Sequence, residues 1–101
     1  MPTVDEALRR LERELDARRN TTAILKVIHG YGSKGLGGEI RIAVQKRLRE
    51  WSDAGRIRAC IFGEEWSRTN DITWKLLQKH PELKDDPDLG RRNQGITVVI
   101  L

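Results

Sequence analysis

Residues Val27 to Arg41 read VIHGYGSKGLGGEIR, an apolar segment that ends on a histidine and runs into five glycines within nine residues. On its amino-terminal side, Ala23-Ile24-Leu25-Lys26-Val27-Ile28 is rich in branched side chains and predicts a mostly buried strand. On its carboxyl-terminal side, Ile40, Val44, Leu48 and Trp51 recur at helical spacing. They predict an amphipathic helix from about Leu36 or Gly38 to Ser52, ended by Gly55. A strand that turns through a glycine loop into a helix places backbone amides at the carboxyl edge of a sheet, and such an edge attracts anions.

The same reading extends in both directions. Thr3-Val4-Asp5-Glu6 has the form of a capping box, and Val4, Ala7, Leu8, Leu11 and Leu15 form an apolar stripe, so a first helix is predicted to about Arg18. Arg56 to Phe62 and Gly95 to Leu101 read as two further strands. Helix, strand, helix, strand is the rhythm of a layered α/β domain with right-handed crossovers. Only Met1 and Pro2 precede the first helix. The fold therefore either begins with that helix or lacks an initial strand, which would leave a sheet edge bare for another copy or for other residues.

Residues 63–94 depart from the rhythm and read as an insertion in a single domain spanning residues 1–101. Within it, Thr69-Asn70-Asp71 can cap a short helix carrying Ile72, Trp74, Leu76 and Leu77, which Pro81 stops. From Glu82 to Gln94 the polar composition, with Pro87 and Gly90, predicts a mobile loop without a core of its own.

A chain of 101 residues with 38% hydrophobic content suits one compact domain. It has no apolar run of bilayer length, and its amino terminus is charged where a signal peptide would be greasy, so a soluble, cytoplasmic protein is expected. The single cysteine, Cys60, sits in an apolar stretch and reads as a buried, inert thiol. The net charge of +4 is unevenly placed. Residues 21–58 carry Lys26, Lys34, Arg41, Lys46, Arg47, Arg49, Arg56 and Arg58 against Glu39, Glu50 and Asp53, so the positive excess shares its third of the chain with the glycine loop.

The loop matches neither of two common phosphate-binding patterns. Lys34 is followed by Gly35 where a Walker loop has serine or threonine. Gly30, Gly32 and Gly35 spell the dinucleotide fingerprint, but no acidic residue ends a second strand about twenty residues on. His29, at the strand end, can donate to a phosphate when charged or take a proton when neutral. Tyr31 can stack on a base or ribose, and Lys34, Arg41, Lys46 and Arg49 can hold phosphates. Glu64-Glu65 and Asp85-Asp86 lie in predicted loops without a nearby histidine, so no metal or other cofactor is called for.

Leu25 to Ser33, then Gly35, Ile40-Arg41 and Ala43-Val44, resemble the strand, H-G-x-G loop and helix of the small MutS-related (Smr) domain family. Thr3 to Leu8 is similar to that family's first helix, and Gly95 to Leu101 to its closing glycine and strand. The resemblance implies a two-layer α/β sandwich of a mixed β-sheet with helices packed on it, like the carboxyl-terminal domain of the bacterial third translation initiation factor. It also implies binding to DNA or RNA, with endonuclease activity in some members. In active members an L-D-L-H-G element stands on the strand before the first helix, and this chain begins after that point.

Three functions follow as expectations. The first is nucleic-acid binding through the phosphate backbone by Gly30, Tyr31, Gly32, Ser33, Lys34, Gly35, Arg41, Lys46 and Arg49. The second is a nicking endonuclease with His29 as its catalytic acid or base. The third is a protein-interaction domain that docks a partner on the Trp66 and Trp74 segment.

Overall fold

The computed structural model describes residues 3–21, 23–30 and 37–101. The first helix, α1 (Val4–Arg18), begins where the capping box places it, with the Thr3 hydroxyl accepting from the Glu6 amide at 3.1 Å. Strand β1 (Ile24–Ile28) follows, then α2 (Gly37–Asp53) and β2 (Ala59–Phe62). Helix α3 (Asp71–Lys79) lies between two short 3₁₀ turns, Gly63–Glu65 and Pro81–Asp85, and β3 (Ile96–Ile100) closes the chain. The Asn70 side chain caps α3 by accepting from the Thr73 amide at 3.0 Å. Among the described residues no helix is long and apolar enough to cross a membrane.

The strand order is β1-β3-β2, and both pairings are antiparallel. The expected mixed sheet is thus corrected: β1 and β2 run in the same direction, yet β3 lies between them and no two strands pair in parallel among the described residues. The chain reaches that arrangement because α2 carries it over β3 from β1 to β2, and the last strand then fills the gap.

Strand parity sorts the core into two faces. Leu25, Val27, Cys60 and Val99 meet Leu11 and Leu15 of α1 and Ile40, Val44, Leu48 and Trp51 of α2. Ile24, Ile61, Ile96, Val98 and Ile100 point the other way and meet Trp66, Leu76, Leu77, Leu83 and Leu89. Residues 63–94 therefore supply a third layer, which corrects both the two-layer sandwich and the mobile loop expected from Glu82 onward. The central strand needs that layer, because four of its five residues are buried and one face would otherwise stand in water.

The third layer is held by paired polar groups as well as by its few apolar ones. The Lys26 ammonium on β1 bonds the carboxylates of Asp86, at 2.8 Å, and Asp88. Asp86 also accepts from Trp66 Nε1 at 2.9 Å, and Asn93 Nδ2 donates to Asp88 at 3.0 Å. Gly63 fits beneath this layer only because it lacks a side chain, since a Cβ there would fall 1.7 Å from the Asn93 carbonyl oxygen.

The strand predicted over Arg56 to Phe62 starts three residues late. Gly55 turns the chain at φ +77° after α2, and the Arg56 amide donates back to the Trp51 carbonyl at 2.8 Å. Arg56 lies over the Trp51 ring, 4.7 Å from its centroid, and reaches Glu12 of α1 at 3.4 Å. These contacts hold residues 56–58 as a connection between layers.

Candidate nucleic-acid interface

His29 follows directly on β1, and its position is set by the start of β3. The amides of His29 and Gly30 both donate to the Gly95 carbonyl at 3.0 Å. Gly30 turns away at φ +75°, a conformation that glycine adopts without strain. Of the anion seat expected between residues 30 and 38, the Gly30 amide is therefore occupied by the protein's own carbonyl. Tyr31, Gly32, Ser33, Lys34 and Gly35 lie outside the described residues.

The imidazole of His29 is engaged at both nitrogens. Nδ1 donates to the Gly30 carbonyl at 2.7 Å, and Nε2 lies 3.0 Å from the hydroxyl of Thr97, a fully buried residue of β3. A carbonyl only accepts, so Nδ1 carries a proton, and in the neutral ring Nε2 accepts from Thr97. Burial is the main cause that holds this histidine below its ordinary pKa, and the Arg41 charge acts in the same direction; the bond to the Gly30 carbonyl and the nearby Ile96 carbonyl, both of which favour the charged ring, oppose them. The ring thus serves as a latch between the root of the loop and β3, with its neutral lone pair turned to the Thr97 hydroxyl.

This arrangement has a pH signature. A folded-state pKa below the unfolded value of about 6.5 means that the unfolded chain binds the proton more readily. The stabilisation is present in full above that unfolded value and is lost as pH falls toward the folded one. Denaturant midpoints should drop between pH 8 and pH 5.5, and the drop should be smaller in His29→Asn. Equal drops in the two proteins would show that the latch contributes nothing.

Helix α2 distributes its cations around its axis. Arg41 lies at the amino-terminal end, close enough to influence His29. Arg49 is eight residues on, about 80° around the helix, and lies over the Phe62 ring at 4.8 Å from the centroid. Lys46 is exposed and about 140° from Arg41, on the side away from the core. Arg47 borders α1 beside Asp5 and Glu12. The structure therefore brings Arg41 and Arg49 onto one flank, while Lys46 stands apart from Arg41.

Between Arg41 and Arg49, one turn from each, lies Gln45. Arg41 Nε and Gln45 Nε2 are both buried, and neither has a hydrogen-bond partner among the described residues. Buried donors are nearly always satisfied, so two neighbouring orphans on one flank mark a place where an acceptor belongs. Sequence reading passed over Gln45 because it carries no charge; its spacing of four from each arginine was the available signal.

The remaining candidates divide plainly. Trp66 is 1% exposed and belongs to the core, whereas Trp74 is half exposed on α3, so the two do not form one docking surface. Cys60 packs partly buried against the α1 and α2 core, and burial pushes its thiol pKa up despite the opposing Arg49 charge. Among the described residues no group of three or more histidine, cysteine or acidic side chains converges. No protein-family model matches the chain, and neither the curated proteins nor the solved structures yield a match to it.

Proposed function

We propose that this chain binds nucleic acid by its phosphate backbone, at the loop after β1 and the adjoining flank of α2. The observation that carries this reading is the row Arg41, Gln45 and Arg49, with buried donors on Arg41 and Gln45 that lack acceptors among the described residues. A phosphodiester offers the acceptor that guanidinium and amide donors fit, and its charge meets the positive excess of residues 21–58. The resemblance to the small MutS-related domain points to the same ligand class.

Backbone contacts carry no sequence information, so DNA and RNA strands of differing sequence should bind alike. In fluorescence anisotropy with labelled single-stranded oligonucleotides, Arg41→Ala and Gln45→Ala should each weaken binding about tenfold, as expected for a charge-assisted or desolvated donor. Lys46→Ala should have a smaller effect. Binding unchanged in Arg41→Ala and Gln45→Ala would remove the flank from the interface.

The bonding of His29 weighs against a general-base role in the nicking-endonuclease alternative, since a general base needs an available lone pair. Loss of binding in His29→Ala would therefore report a displaced loop and not a lost catalyst.

A further inference from the structure

The phase of the sheet ladder shows which backbone groups of β1 are spoken for. His29 N–H donates to Gly95 and Leu101 N–H donates to Ala23, so residues 23, 25, 27 and 29 face β3 in this antiparallel register. By alternation, the N–H and C=O groups of Ile24, Lys26 and Ile28 point away from the sheet. Among the described residues β1 pairs with β3 alone, so this row of donors and acceptors forms an open edge. Beside it runs a groove of about 1410 Å³ between β1 and α1, whose wall joins the apolar Ala7, Leu11, Leu25, Val27, Ile40 and Val44 to charged residues of α1 of both signs.

We propose that this slot accepts an extended peptide segment as a fourth strand, with apolar side chains on its α1 side and basic ones on the other. The outward main-chain groups call for another main chain, since alternating N–H and C=O at strand spacing are matched by a strand. The apolar part of that wall, Leu11, Leu25, Val27 and Val44, favours apolar residues among those that point toward α1. On the opposite face two carboxylates, Asp86 and Asp88, share the single Lys26 ammonium. One negative charge is left over beside the edge, and a basic residue opposite Lys26 complements it. An added strand would also cover Ile28, which is 78% exposed.

A second copy of this chain fits less well. Its β1 would arrive with its own α1 packed on the same face, and the groove already has α1 for a wall. A bare segment has no such helix to place.

The test uses a capped seven-residue peptide of alternating valine and lysine, with a valine-glutamate peptide as control, added to the full chain. Amide exchange followed by NMR should show Ile24, Lys26 and Ile28 exchanging fast in the free protein and slowing about tenfold or more at saturation. Leu25, Val27 and His29 should be slow throughout. The lysine peptide should bind about tenfold tighter than the glutamate one. Ile28→Pro removes one outward donor, leaves the β3 ladder intact and should weaken binding about tenfold. The wild-type exchange pattern stands as a test even where that variant folds poorly. The proposal is overturned by no binding at millimolar peptide, or by binding that leaves the exchange alternation unchanged. Concentration-dependent dimers whose outward amides are protected without peptide would overturn it too, by assigning the edge to a second copy.

Discussion

Replacing Trp66 by alanine is expected to remove about 3–5 kcal/mol of folding stability, the range for emptying a large aromatic side from a packed interior. The size follows from where the ring sits. It is almost wholly buried among Ile61, Leu76, Leu77, Ile96 and Val98, and it ties the third layer to the sheet. Its Nε1 also donates to Asp86, so truncation removes a bond from the carboxylate that anchors Lys26. Trp66→Phe keeps most of the volume and should cost about 1.5–3 kcal/mol, the worth of one bond to a charged acceptor. Urea denaturation checks both values. A loss below about 1 kcal/mol in the alanine variant would mean that residues 63–94 are dispensable to the fold, contrary to the three-layer arrangement.

The second large effect is expected at Lys26. Lys26→Met retains the aliphatic stem and deletes the ammonium, which leaves Asp86 and Asp88 facing each other with no cation between them. Breaking a fully buried pair costs about 3–5 kcal/mol, and these groups are about a quarter exposed or less, so about 2 kcal/mol is expected at pH 7. The pH dependence identifies the cause. The Lys26 bond, then the Asn93 bond, hold Asp88 below its ordinary pKa; burial works against them. A depressed carboxylate contributes stability above its unfolded pKa, near 4, and loses it as pH falls through the folded value. The gap between Lys26→Met and the parent should therefore narrow below about pH 4, where protonation relieves the variant's repulsion and removes the parent's gain. Lys26 shows the other half of the same linkage. Burial alone would lower its pKa, but the bonds and charges of Asp86 and Asp88 outweigh burial and raise it, so its share of stability persists until high pH. A gap that stays constant from pH 7 to pH 3 would contradict the ion-pair account.

The helices and strands were legible because each has a local signal. Thr3 and Asn70 announce α1 and α3 by their caps, and the fourfold spacing of Ile40, Val44 and Leu48 defines α2 to within a residue or two. What was not legible depends on long-range pairing. Nothing local to Asp86 or Asp88 reveals that they meet Lys26 about sixty residues earlier, so a segment of polar residues read as a loop although it covers one face of the sheet. The family resemblance implied a mixed sheet, and only the insertion of β3 between β1 and β2 makes every described pairing antiparallel. The site shows the same division. His29 was found from its place after a strand, but its bond to Thr97 joins residues 68 apart and turns an apparent proton acceptor into a latch. Gln45 carried no charge to attract notice, and its significance appears only when its amide is seen buried one turn from Arg41 without an acceptor among the described residues.

The reading of this chain as a phosphate-backbone binder is tested most directly by the salt dependence of its affinity for single-stranded oligonucleotides. Each phosphate held releases counterions, and the slope of log affinity against log salt is about −0.7 per contact on a single strand. With Arg41, Arg49 and Lys34 engaged, the slope should be about −2, and Arg41→Ala should make it shallower by about 0.7. No binding at low salt, or a slope near zero that Arg41→Ala leaves unchanged, would contradict the account.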